Sequence, residues 1–290
     1  MNAQTEMRRA VPRAIFAVVL TALFFAISDI FSQVQTRHIP PLEVAWLRYA
    51  SFVLFLLLWQ RQNFVKALKT QMLGWQMARG LFTVSSAISF VMCLPLLPIG
   101  DATAIAFSAP FIIMALSAPI LGEHVSARHW LLAAVGLGGV LVIAQPGTSA
   151  FQWASLLPLT SALMSGLGII STRFMAREAQ MSMLVYTALV GFAVLTAVLP
   201  WNWVPLVWQD CAPTLVVGLS AALANVTLIA AYRNVPVSVA APFSYIQLVF
   251  AGCLGFLSTG AVPGLLTLLG AAMISLAGIT GAWLERRSAA

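Results

Sequence analysis

"GLFTVSSAISFVMCLPLLPIGDATA", Gly80 to Ala104, holds one charge, Asp101, in a run longer than a bilayer crossing needs, and it occurs twice in the chain. It aligns without a gap on "GLSAALANVTLIAAYRNVPVSVAAP", Gly218 to Pro242, matching Gly80 with Gly218, Leu81 with Leu219, Pro98 with Pro236 and Ala102 with Ala240. Further along, "LLAAVG" (Leu131 to Gly136) matches "LLTLLG" (Leu265 to Gly270) after a shorter connection. The repeat divides the chain into residues 1–147 and 148–290, two halves of one design.

Working outward, apolar residues make up 61% of the chain and charged ones 8%, a composition foreign to soluble domains. About ten stretches of roughly 20 residues have the length of a membrane helix. They lie near 13–34, 41–59, 72–95, 99–121, 128–145, 153–172, 182–200, 211–232, 237–258 and 264–284. The predicted fold is an all-α membrane protein of about ten transmembrane helices, spans 1–5 in the first half and 6–10 in the second. Five is odd, so the halves run in opposite directions, giving an inverted repeat about an axis in the membrane plane. Such a repeat suits alternating access, in which one half rocks on the other around a midplane site. The apolar start after Arg8, Arg9 and Arg13 resembles a signal peptide but lacks a convincing small-residue cleavage site, and reads as a retained first helix.

Loop charges set the orientation. With the N-terminus inside, Arg8, Arg9, Arg13, Arg61, Lys66, Lys69, Arg128, Arg173, Arg177, Arg233, Arg286 and Arg287 are cytoplasmic, and only Arg37 is outside. Both termini are expected in the cytoplasm. The net charge of +7 follows from this placement and calls for no nucleic acid. Cys93, Cys211 and Cys253 have no metal-ligand or redox spacing, so neither metal nor cofactor is expected. No G-x-x-x-x-G-K-[ST] loop exists for ATP, and "GEHVSARHW" (Gly122 to Trp130) lacks the H-E-x-x-H of a zinc protease, so no enzyme is expected.

The stretches "LPLLPIGDATAIAFSAPFIIMALSAPILGEHVSARHWLLAAVGLGGVLVIAQPG" (Leu94 to Gly147) and "AYRNVPVSVAAPFSYIQLVFAGCLGF" (Ala231 to Phe256) resemble the EamA-type branch of the drug/metabolite transporter superfamily. The resemblance implies a ten-helix permease with a central cavity, in the bacterial cytoplasmic membrane. Its substrates would be amino acids and their derivatives, vitamins or other metabolites. One departure stands out: "LGE" at Leu121 to Glu123 has "TGA", Thr259 to Ala261, as its counterpart. Any role the family gives the second glutamate is absent.

Polar residues at membrane depth are the candidate site. Asp29 lies about 24 Å up its helix from Arg13, and Arg48 enters from the other side to a depth of about 10 Å. That puts both at similar depth on consecutive antiparallel helices, as a substrate or proton site or as a structural ion pair. Arg48, with its bidentate fork and flanking Trp46 and Tyr49, is the expected carboxylate anchor, and Asp29 its partner or the proton-coupling group. Asn225, Ser244, Tyr245 and Gln247 gather near the midplane as further substrate-binding candidates. Arg79 reads as an arginine snorkelling to the headgroups. Pro110 and Pro242 would each remove a backbone hydrogen bond inside a span. The small-residue rows Ala134, Gly138, Gly139 and Gly270, Ala271, Gly278, Gly281 read as close helix packing, a scaffold outside the pore.

Two in-span arginines against one aspartate favour a solute with a carboxylate or phosphate, such as an amino-acid derivative or a metal-chelating metabolite, moved outward. Uptake of a vitamin or nucleoside-like nutrient such as riboflavin is the alternative, and a non-transporting membrane sensor the remote one. The partners are then the metabolite and the lipid bilayer, with assembly as a homodimer left open.

Overall fold

In hydrocarbon every backbone N–H and C=O must find its partner within the protein, which drives long apolar segments into helices. The structure, a computed structural model, describes residues 3–60, 64–121, 127–144, 152–175, 177–199, 203–234, 243–260 and 264–288. The described residues are almost wholly helical and contain no strand. The helices are α1 (Ala3–Gln35), α2 (Pro41–Gln60), the short α3 (Phe64–Ala67), α4 (Leu73–Cys93), α5 (Ile99–Ala106), α6 (Ala109–Leu121), α7 (Ala127–Ala144), α8 (Leu156–Phe174), α9 (Gln180–Val198), α10 (Trp208–Asn234), α11 (Ile246–Thr259) and α12 (Leu265–Ser288). A 3₁₀ turn, Trp153–Ser155, leads into α8.

Among the described residues, five helical stretches are long and apolar enough to cross a membrane: Pro12–Gln35, Pro41–Trp59, Trp153–Phe174, Gln180–Val198 and Trp208–Ala231. With the shorter apolar helices around them they make this a multi-pass membrane protein. α4 is long enough at 21 residues but lies outside that set. Gln76, Arg79, Thr83 and Ser86 dilute its hydropathy because one face of it turns inward.

Two expectations need correction. The apolar run 99–121 is not one helix: it breaks at Phe107 and Ser108 into α5 and α6. Pro110 occupies the first turn of α6, where a missing N–H costs nothing, so it opens a helix instead of weakening one. α1 also begins earlier than the predicted span and continues through Pro12. Pro242, Glu123 and His124 lie outside the described residues.

Packing is pairwise. α1 lies on α10 and α11, α4 on α8 and α9, α2 on α9 and α10, α6 on α8, and α7 on α12. Two glycines of α7 and α12 make the last contact possible: a Cβ on Gly139 would stand 2.6 Å from the carbonyl oxygen of Gly270, and one on Gly270 2.5 Å from that of Gly139. Only a residue without a side chain lets two backbones approach this closely. The aligned glycines Gly80 and Gly218 have similar duties. A Cβ on Gly80 would meet Val190 of α9 at 2.7 Å, and one on Gly218 would meet Ser51 of α2 at 1.9 Å. Apolar side chains such as Phe16, Leu58, Leu131 and Leu276 point outward, as a lipid-facing surface requires.

Candidate functional site: a central cavity with two buried guanidiniums

A cavity of about 230 Å³ opens between α1, α2, α4, α8 and α10, with the α5–α6 break and the start of α11 completing its wall. Among the described residues, three that line it are charged: Asp29, Arg48 and Arg79. α1 contributes Thr21, Phe25 and Asp29 and α2 contributes Arg48, Tyr49 and Phe52, both spacings that keep side chains on one helix face. From α4 come Arg79, Thr83, Ser86 and Phe90, and from α8 Ser161, Ser165, Gly168 and Thr172. The two polar rows face each other, with the Ser86 and Ser161 hydroxyls 3.0 Å apart.

Arg48 Nη1 donates to Asp29 Oδ1 at 3.3 Å, and its guanidinium lies 5.8 Å from the centre of the Phe25 ring. Both residues are buried, at 8% and 5% exposure. A single contact of 3.3 Å is longer than the 2.7–2.9 Å of a strong charge-assisted bond. It leaves most of the guanidinium fork unused among the described residues.

Arg79 corrects its sequence reading. Its exposure is 2%, and it turns into the bundle instead of toward the headgroups. Nε donates to Thr172 Oγ1 at 2.8 Å, and Nη1 donates to the Met183 carbonyl at 3.2 Å and to Thr187 Oγ1. α8 and α9 thus hold it inward, a tertiary effect that its own helix does not encode.

Of the remaining candidates, Tyr49, Asn225, Ser244 and Gln247 line the same cavity as Asp29 and Arg48. Asn225 Nδ2 donates to the Ala221 carbonyl, while its Oδ1 has no hydrogen-bond partner among the described residues. Tyr49 packs its ring on Gly191 of α9, where a Cβ would collide with it. Trp46 and Tyr245 are not in the lining. Trp46, two residues before Arg48, points to the other side of α2, where Nε1 donates to Thr196 Oγ1 at 2.8 Å and the ring meets Phe192 and Trp203. Tyr245 packs against Phe107 and Gly278. Sequence reasoning overlooked the facing serines and threonines of α4 and α8. Thr83 and Ser86 of α4, one and two turns past Arg79, and Ser161, Ser165 and Thr172 of α8 form polar stripes along otherwise apolar helices, and that was the available signal.

Beyond Asp29 lies an apolar layer of Ile30, Phe90, Leu94, Leu97, Ile99 and Ala102, of which Phe90 also lines the cavity. Gln33 Nε2 reaches across it to the carbonyls of Leu94 and Leu97 at 3.4 and 3.5 Å. A second, wider cavity lies past that layer, lined by Gln33, Thr36, Arg37 and the 94–101 link. No metal-binding group of His, Cys, Asp or Glu occurs among the described residues.

Comparison with known proteins adds the following. Residues 12–145 match the EamA-like transporter family. The S-adenosylmethionine uptake transporter of Rickettsia prowazekii (strain Madrid E) is 27% identical over 271 residues, 93% of this chain and 92% of that protein. The pseudopaline exporter of Pseudomonas aeruginosa (strain PAO1) is 25% identical over 91% of this chain and 93% of its own length. The riboflavin transporter of Rhizobium johnstonii is 27% identical over 93% of this chain and 90% of its own. A solved crystal structure, 18% identical, superposes with a TM-score of 0.70 over 98% of this chain and 99% of that one, a likeness of fold.

Proposed function

We propose that this chain, matched over residues 12–145 by the EamA-like transporter family and along nearly its whole length by curated transporters, is an EamA-type permease of the drug/metabolite transporter superfamily that exports a small carboxylate-bearing metabolite by alternating access. The observation that carries this reading is the charge of the central cavity, two buried guanidiniums against one carboxylate. Buried charge of one sign favours a solute of the other. The proposed site comprises Asp29, Arg48, Tyr49, Asn225, Ser244 and Gln247, with Trp46 and Tyr245 as packing supports. Arg48 is the anchor: its long contact with Asp29 opens to admit the carboxylate, and an α-amino group on the same solute replaces the guanidinium at Asp29.

The proposed architecture is ten spans in two inverted halves, 1–147 and 148–290, with both termini cytoplasmic in the bacterial inner membrane. The pattern of packing partners supports it. α1 lies on α10 as α4 lies on α8, and α2 on α10 as α9 on α4, which are pairings that exchange when the halves are exchanged. Gly80 and Gly218, aligned in the repeat, each seat a helix from the opposite half.

Uptake is the second reading. Phe25, Phe52, Phe90 and Phe107 ring the cavity and would stack on a planar solute, and relatives named for uptake of an adenosyl amino acid and for riboflavin favour it. Metabolite profiling of a deletion strain separates the two directions: a solute accumulating inside the cell marks export, and one left unused in the medium marks uptake. Purified protein in vesicles that exchanges no carboxylate-bearing metabolite of such a profile would defeat the permease reading.

A further inference from the structure

Arg48 has a carboxylate beside it; Arg79 has none among the described residues. Every group that Arg79 hydrogen-bonds among the described residues is neutral. Thr172 and Thr187 each donate their hydroxyl proton to their own helix, to the carbonyls of Gly168 and Met183, and so accept from the guanidinium through a lone pair. This arrangement orients Arg79 without neutralising it. Its Nη2 makes no hydrogen bond among the described residues, and the side chain lines the central cavity. One turn earlier on the same face of α4, Gln76 is 1% exposed, and neither of its amide atoms has a partner among the described residues.

A buried, permanently charged guanidinium without a counter-ion is expensive, and the chain's own groups leave that cost standing. We propose that Arg79 is the anion subsite of the cavity, holding a carboxylate or phosphate oxygen of the solute at Nη2, while Thr172 and Thr187 fix the plane of the fork. The inference rests on the permease reading and narrows it. With Asp29 and Arg48 balancing each other, the loaded cavity is neutral when the solute carries one net negative charge. An amino acid with a second acidic group meets that condition, its zwitterionic head at Asp29 and Arg48 and its extra acid at Arg79.

The test uses the full chain in detergent, its thermal unfolding followed by tryptophan fluorescence, with sodium succinate, inorganic phosphate and uncharged succinamide as probes at constant ionic strength. The wild-type chain is expected to show a saturable rise in unfolding temperature with succinate or phosphate and none with succinamide. In Arg79→Gln the response should vanish or need at least about tenfold more anion, since a charge-assisted bond is lost. Should that variant not fold, Arg79→Lys takes its place: a several-fold weaker response is expected, and an unchanged one overturns the assignment. It is also overturned if neither anion stabilises the wild type saturably, or if Arg48→Gln loses the response while Arg79→Gln keeps it. Solute counterflow in vesicles is read separately. A chain that binds succinate through Arg79 but moves no solute sinks the permease reading alone; one that transports, with Arg79→Gln responding to anion as wild type does, sinks this inference alone.

Discussion

At Arg48 the chemistry of a single side chain can be separated from its role as ballast. Removing one member of a buried ion pair strands the other, so Arg48→Ala should destabilise the protein by ~3–5 kcal/mol. Arg48→Lys keeps a charge but loses the planar two-point grip, and should leave folding largely intact while weakening transport. The double variant Arg48→Ala, Asp29→Asn removes both charges and with them the desolvation problem, so its unfolding temperature should return toward wild type. Transport by that double variant decides the matter: a stable, inactive protein supports the anchor, and near-normal transport reduces the pair to a structural one. Were Asp29 the proton-coupling group, Asp29→Asn alone should abolish uptake driven by a pH gradient in vesicles yet spare counterflow exchange, because only the driven step requires a change of protonation. Unchanged pH-driven uptake would remove Asp29 from any coupling role.

Among the elements, α7 and α12 form a support behind the cavity: no described residue of either lines it, and both pack on the α5–α6 break at Phe107 and Phe111. Gly139→Leu places a side chain where 2.6 Å separates a Cβ from the Gly270 carbonyl oxygen, and should cost ~1–3 kcal/mol or more by overpacking. The folded fraction should nevertheless keep its wild-type affinity for solute, which equilibrium binding per folded molecule checks. Gly252→Ala on α11, with nothing within 4 Å of the new Cβ, is the matched control and should be neutral or stabilising by up to ~1 kcal/mol. The α5–α6 break shows how a run that reads as one span serves as two. Its hydropathy satisfies the bilayer throughout, but the turn at Phe107 and Ser108 faces a cavity, where irregular backbone is tolerated.

For the whole molecule, the proposed alternating access would require the apolar layer of Ile30, Leu94 and Leu97 to part and the Gln33 contacts to break. In a chain whose three native cysteines are replaced, Gln33→Cys joined to Leu97→Cys by a short reducible crosslinker should stop exchange, and reduction should restore it. Exchange that continues through the linked protein would place the gate elsewhere. The His38–Asp210 pair at 2.7 Å ties the α1–α2 turn to the first turn of α10, and the Glu43 bond to Val204 N–H at 2.9 Å ties the start of α2 to the segment before α10; both lie apart from this layer.

Composition and the length of the apolar runs by themselves determined that the chain is an all-α membrane protein and roughly where most of its described helices run, the break within 99–121 excepted, because a bilayer imposes length and apolarity on each segment independently of every other. The small-residue seam of α7 and α12 was legible for a related reason: close approach needs glycine on both sides, and glycine is visible in a sequence. The depth of Asp29 and Arg48 followed from counting 1.5 Å per residue along two adjacent helices. What the tertiary structure alone decided was rotation and partnership. Whether Arg79 reaches the headgroups or the interior depends on Thr172, Met183 and Thr187, which come from helices far along the chain. Trp46 and Tyr49, three residues apart on α2, both meet α9, at Phe192 and at Gly191, yet Tyr49 also lines the cavity and Trp46 does not. A helix carries its residues in a fixed angular order, but which side faces the core is set by the helices packed around it.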